Sequence, residues 1–368
     1  MSSVPYFIDR ADPKGMAELR RWIKASGHES ASITALEPDG RPDIPVADFF
    51  AGDLRTPEGE AVPLNAGRLI SPATFAGVDA LLDKVPELAV LNRSLGRGTL
   101  RLALADAASG RVGLFLNKVL SAQALNPTSR VLVASTEVLP DHVVAQFVPD
   151  MVVRSYPRAR LLHRWLFPWR AVLGTLRRRF KLWLSVREEQ VQPSGPTVMV
   201  ASTGQLSFDP TLRGQPHWIW DEDEEENLRI LLFPGYHDEQ VLDSVRLASL
   251  EKKGVHLLSW DELGYSRRRS LGTTLDKHLN SLGRKAFSLV ATSSDFPTRW
   301  AAGLAFRLID EARTVSAVAR ERNVRCFLTS EYHLLHSYAM AVVAETMKVP
   351  LVAYQYSNMA ASTPPMLS

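Results

Sequence analysis

Residues 324–358 read VRCFLTSEYHLLHSYAMAVVAETMKVPLVAYQYSN. Val324, Cys326, Phe327 and Leu328 form a short apolar run, the pattern of a strand buried on both faces. Thr329, Ser330 and Glu331 break it. From Leu334 to Met347 the apolar residues recur at helical spacing, Ser330 suits the N-cap, and Lys348 meets the negative end of the helix dipole. Pro350 forbids continuation, and Leu351 to Tyr354 reads as the next buried strand. The spacing between the strands fits a crossover between parallel neighbours. The stretch therefore predicts a strand–helix–strand unit of an open α/β sheet, with polar clusters at two strand ends, where such sheets bind ligands.

Upstream the same alternation recurs. Val198–Ala201, Ile230–Phe233 and Val255–Leu258 read as buried strands, and His217–Trp220 is a further candidate. Helices are expected over 238–252, 270–292 and 298–321. Strands separated by helices mean a Rossmann-like, doubly wound parallel sheet over 196–368, entered through the linker QVQPSGP at 190–196. Residues 1–153 read as a less regular α/β region. Strands are expected at Tyr6–Ile8 and Arg130–Ala134, helices at 14–25, 72–84 and 113–125, and loops over 38–66. SLGRGT at 94–99 has a GxG spacing, but with no strand before it a plain loop outweighs a phosphate cradle. The six acids of 221–226 read as a solvated run rather than a metal site.

Between these regions lies a basic segment, 154–195. The chain has 368 residues and a formal net charge of +3, yet Arg154 to Arg187 holds ten Lys or Arg and no acid, leaving −7 elsewhere. It is an acidic body carrying one basic stretch. A new helix is expected to start at Pro168, with Trp169, Val172, Leu173, Leu176, Phe180, Trp183 and Leu184 on one face. Three readings stay open. The helix packs on its own core; it lies in a membrane interface through Trp165, Trp169, Arg170, Arg177, Arg178, Phe180, Lys181 and Trp183; or it binds nucleic acid, which no accompanying motif supports. Tryptophan and the absence of acids favour the membrane. One cysteine, no signal peptide and no run of eighteen apolar residues point to a cytoplasmic, peripheral protein.

The chemistry-bearing candidates sit at the strand ends. Glu331 and His333 are candidate general bases, with Ser330 beside them. His333 and His336 share a metal-like spacing but lack an obvious third ligand, so no metal is expected. Gln355, Tyr356, Ser357 and Asn358 can hydrogen-bond or stack on a sugar. Walker A, GxSxG, CxxC, HExxH and GxGxxG patterns are absent, which argues against several nucleotide, hydrolase and dinucleotide classes.

The terminal unit resembles the end of the N-terminal domain of GT-B glycosyltransferases, in which a strand often ends in a QHG-type turn. Here that place reads Tyr354-Gln355-Tyr356-Ser357, and LLFPGYHDEQVLDSVRLASLEKKGVHLLSW (231–260) looks like an inner strand–helix–strand of the same domain. The resemblance covers about 170 residues from 196 onward and is nearest to capsule and O-antigen transferases. It implies a transferase of bacterial surface-polysaccharide biosynthesis at the cytoplasmic membrane face. A nucleotide-sugar would be co-substrate, a lipid-linked or glycan acceptor would receive the sugar, and no cofactor or metal would be bound. It also implies a donor-binding domain after Pro364-Pro365, so that this chain would be the acceptor-side half. The alternatives are a non-catalytic membrane-docking module, and a transferase whose two halves are 1–155 and 196–368.

Overall fold

The computed structural model describes residues 3–28, 30–37, 54–148, 150–157, 161–184, 195–201, 229–233, 254–258, 260–329 and 335–353. The fold is α/β with two parallel sheets. The first region holds β1 (Val4–Arg10), α1 (Pro13–Ala25), β2 (Ala31–Glu37), α2 (Val62–Lys84), α3 (Pro86–Ser94), α4 (Thr99–Leu125), β3 (Arg130–Ala134), α5 (Asp141–Ala145) and β4 (Val152–Tyr156). Its four strands are ordered β2-β1-β3-β4, all parallel. The expectation of a less regular N-terminal region is therefore corrected: it has its own well-formed sheet. Strand period sorts the side chains to two faces. Tyr6, Ile8 and Leu132 face α1, whereas Phe7, Val131 and Val133 join a larger core under α2, α4 and α5.

Then come α6 (Leu161–Leu184), β5 (Thr197–Ala201), β6 (Arg229–Phe233), β7 (Val255–Leu257), α7 (Trp260–Arg269), α8 (Thr274–Thr292), α9 (Phe296–Glu321), β8 (Val324–Thr329), α10 (Leu335–Met347) and β9 (Leu351–Ala353). The five strands are parallel in the order β7-β6-β5-β8-β9. The expected strand–helix–strand is there, but β9, expected as a buried strand, lies at the end of the strand order with Val352 49% exposed. The helix expected over 270–292 is α8, which starts at Thr274 because Gly272, at φ 84°, turns the chain and the Thr273 side chain caps α8 by accepting from the Asp276 amide; α7 before it was not expected. The expected strand at 217–220 and helix at 238–252 lie outside the described residues.

Helix α9 is the hub. It is buried along nearly its whole length and packs against α6, α7, α8 and α10, while α4 touches both α9 and α10. One apolar core consequently runs through both regions, from Leu104 and Leu116 to Ile309 and Met340.

Helix α6 starts before the proline: Pro168 lies inside it, not at its first turn as the sequence suggests. An interior proline costs about 3 kcal/mol, and close packing offsets it here. The Pro168 carbonyl would stand 3.1 Å from a Cβ on Gly303 of α9, so a larger side chain there would push the two helices apart. Gly303→Leu should destabilise the protein by about 1–3 kcal/mol through overpacking, read as a lower urea midpoint. Gly303→Ala should cost much less.

Candidate functional site

Three places were expected to carry function. The two strand-end clusters, Ser330, Glu331 and His333, and Gln355, Tyr356, Ser357 and Asn358, lie outside the described residues, although Thr329 and Ala353 on the strands before them are described. Thr329 is held by a 2.7 Å hydroxyl contact between its Oγ1 and Ser337 Oγ at the start of α10. His336 is buried in α10, its Nδ1 3.9 Å from a Glu311 oxygen, so it belongs to the core.

The third place, α6, is described apart from its first side chains, Trp165 among them. Its orientation differs from the expected one. Arg178 and Arg179 turn inward to Glu311 and Asp310 of α9, two carboxylates that are each 2% exposed. Arg267 of α7 also pairs with Asp310. A buried carboxylate without a cation is far costlier than an exposed leucine, so the carboxylates set the rotation of α6. Arg178 thus leaves the expected membrane set, and Trp169 is half-buried, edge-on to Phe287 at 5.7 Å. Leu173, Phe180, Trp183 and Leu184 stay 58–61% exposed, interleaved with exposed Arg170, Arg177 and Lys181. The helix does pack on the core, through Val172, Leu182 and the half-buried Phe167 and Trp169, but with a different face from the expected one: only Val172 of the seven expected face residues is fully buried. Among the described residues no helix is long and apolar enough to cross a membrane, and no group of three His, Cys, Asp or Glu is arranged for a metal.

A fourth place was not foreseen. At the C-terminal edge of the first sheet, Asp9 is the next-to-last residue of β1 and Lys118 reaches it from α4. Lys118 Nζ lies 3.3 Å from Asp9 Oδ2 and 2.6 Å from Glu37 Oε1 at the end of β2, and Lys118 and Asp9 are 3% and 2% exposed. Asp9 also accepts from the Ala134 and Arg10 amides, both at 2.8 Å, and from the Tyr156 hydroxyl at 3.1 Å. All four strand ends thus converge on one carboxylate–ammonium cluster. Beside it opens a recess of about 270 Å³, lined by Arg111, Leu114, Phe115 and Lys118 of α4 and by residues 134–137 after β3. It stands at the β1–β3 switch point, where the chain's path reverses across the sheet. A lone lysine inside the apolar run GLFLNKVL, and an aspartate directly after YFI, are the sequence signals that point to it.

The GxG loop also resolves. It is the turn between α3 and α4, with Gly96 and Gly98 at φ 80° and 69°. A Cβ on Gly96 would collide with the Glu345 carboxylate of α10, and Arg97 lies 4.0 Å from that group. A protein carboxylate fills the place a phosphate would need.

Lys118→Met should destabilise the protein by about 3–5 kcal/mol, because Asp9 is left buried without its cation; chemical denaturation measures it. Protonation adds a second test. Burial, reinforced by Arg178 and Arg307 and opposed by Glu311, holds His336 below its ordinary value of 6.5. The unfolded chain therefore takes up a proton near pH 6.5 that the folded chain refuses, and stability falls as the pH drops from 7 towards 5. Asp310 also resists protonation: burial raises its pKa, but Arg267 and Arg179 outweigh it and hold the group below its usual range, so its contribution is lost only in stronger acid. In His336→Gln the urea midpoint should change less between pH 7 and 5 than in the wild type.

Compared with protein-family models, curated proteins and solved structures, the chain matches none of them.

Proposed function

We propose that this chain is a peripheral membrane glycosyltransferase that moves a sugar from a nucleotide-sugar to a lipid-linked or glycan acceptor at the cytoplasmic face of the inner membrane. The observation that carries the reading is the outward face of α6, where large apolar side chains stand exposed among cations. Such a face suits the interface of an anionic leaflet, where each cation contributes about 1 kcal/mol. The two parallel sheets support the enzymatic part. The order β7-β6-β5-β8-β9 is that of a Rossmann-like sheet, whose ligand crevice opens where the path reverses, between β5 and β8. Ser330, Glu331 and His333 follow β8 directly in sequence.

In this reading the bond between the sugar's anomeric carbon and the nucleotide diphosphate breaks, and the acceptor oxygen takes that carbon. Glu331 or His333 receives the acceptor's proton. Gln355, Tyr356, Ser357 and Asn358 hold the sugar or phosphate. The second sheet in 4–156 supports the version in which 1–155 and 196–368 supply the two halves of the cleft. The non-catalytic alternative, a docking module, is favoured by the same α6 face and differs in having no turnover.

The test pairs vesicle flotation with transfer from a nucleotide-sugar panel to inner-membrane lipids. The wild type should float with phosphatidylglycerol vesicles and not with phosphatidylcholine ones. Arg170→Ser with Arg177→Ser should bind roughly thirtyfold more weakly, at about 1 kcal/mol per cation. Glu331→Gln with His333→Ala should lower transfer by at least about a hundredfold. Vesicle binding with no turnover from any donor would leave the docking module standing; equal binding to both lipids would remove the membrane reading.

A further inference from the structure

The recess at the edge of the first sheet has a lining specific enough to name a ligand. Its turn after β3 offers no backbone cradle. The Ser135 amide donates to the Tyr156 carbonyl, the Thr136 amide to Asp141 Oδ1, and the Glu137 amide to Ser135 Oγ. The amides that would wrap a phosphate are therefore already used. Charge argues the same way. Arg111 and Lys118 are the cations, and Glu137 in the wall with Asp9 and Glu37 behind Lys118 are the carboxylates. Among the described residues, two positive charges against three negative leave no surplus to receive a phosphate, which carries −1.5 to −2 at pH 7. The wall carries a mixture of donors and acceptors on side chains. Among the described residues Arg111 makes a 3.4 Å bond to the Thr136 carbonyl and sits over the Phe167 ring of α6, 5.2 Å away. Lys118 uses two of its three donors on Asp9 and Glu37. The Ser135 hydroxyl and the Glu137 carboxylate complete the polar set, and Leu114, Phe115 and Ala134 supply an apolar side.

We propose that this recess binds one uncharged, polyhydroxylated ring, a single sugar residue. Hydroxyls both donate and accept, so they match a wall in which Arg111 and Lys118 donate and Glu137 accepts; the apolar side meets the ring's C–H face. At about 270 Å³ the recess lies just under the roughly 300–1,000 Å³ of sites for drug-sized ligands, which limits it to one ring. The lining alone carries this inference; it does not rest on the α6 face or on residues 330–358.

Saturation-transfer NMR with glucose, galactose and N-acetylglucosamine as separate probes tests it, with inorganic phosphate and glycine as the charged and zwitterionic comparisons. At least one sugar should give a signal, with a Kd in the millimolar range. Arg111→Gln and Glu137→Gln, each with an unchanged thermal midpoint, should weaken it about tenfold, as expected for losing a charged hydrogen bond. Arg170→Ser with Arg177→Ser should leave it intact, so failure of membrane docking and failure of this site are told apart. No signal from any sugar, a signal that survives both pocket variants, or Arg111-dependent binding of phosphate or glycine in place of sugar would overturn the assignment.

Discussion

Two neighbouring carboxylates in the middle of a buried helix constrain much of this molecule. Asp310 and Glu311 sit on α9, out of reach of water, and must be met by cations. Arg178 and Arg179 supply them from α6 and Arg267 from α7, so three helices are fixed in rotation as well as in distance. Nearby, Arg313 pairs with Asp276 of α8 at 2.8 Å, and Arg322 with Glu262 of α7 at 2.5 Å. Buried pairs of this kind add little net stability compared with apolar packing. Their effect is to exclude other arrangements, since any rotation of α6 strands a charge. The exposure of Phe180 and Trp183 is the other side of that bargain: the helix cannot satisfy its arginines and bury its aromatics together.

The strands legible in the sequence were those written as apolar runs. β1, β3, β5, β6, β7, β8 and β9 announce themselves as apolar runs, and α10 by period and capping. The edge strands β2 and β4 escaped. ASITALE and VVRSY mix polar with apolar residues and are partly exposed, so they lack the double-sided apolar signal. The first turns of α2 and the front half of α4 were hidden for the opposite reason. Both helices are apolar around much of their circumference, which erases the helical period. The basic helix was legible as a helix and misread in its facing. Its partners lie more than 130 residues away in sequence, and no local pattern encodes them.

The site at the first sheet was missed because one rule was applied to one sheet. A polar cluster after a buried strand was recognised at residues 329–331, while Asp9 after Tyr6-Phe7-Ile8 obeys the same rule. Lys118 was not singled out within the helix expected over 113–125. In fact its stem crosses the apolar interior to end between two carboxylates, which is the arrangement that makes a buried lysine tolerable.

The continuity of the core across both regions bears on how the chain is made. Helix α4 is finished by residue 125, yet it also packs against α9 and α10, which end at residues 321 and 347. At about 5–20 residues per second, a ribosome needs on the order of tens of seconds to supply the second part after the first. During that interval the nascent N-terminal half carries an uncovered apolar flank. It is therefore a natural client for chaperones that hold emerging chains, and its yield depends on how fast the second half follows.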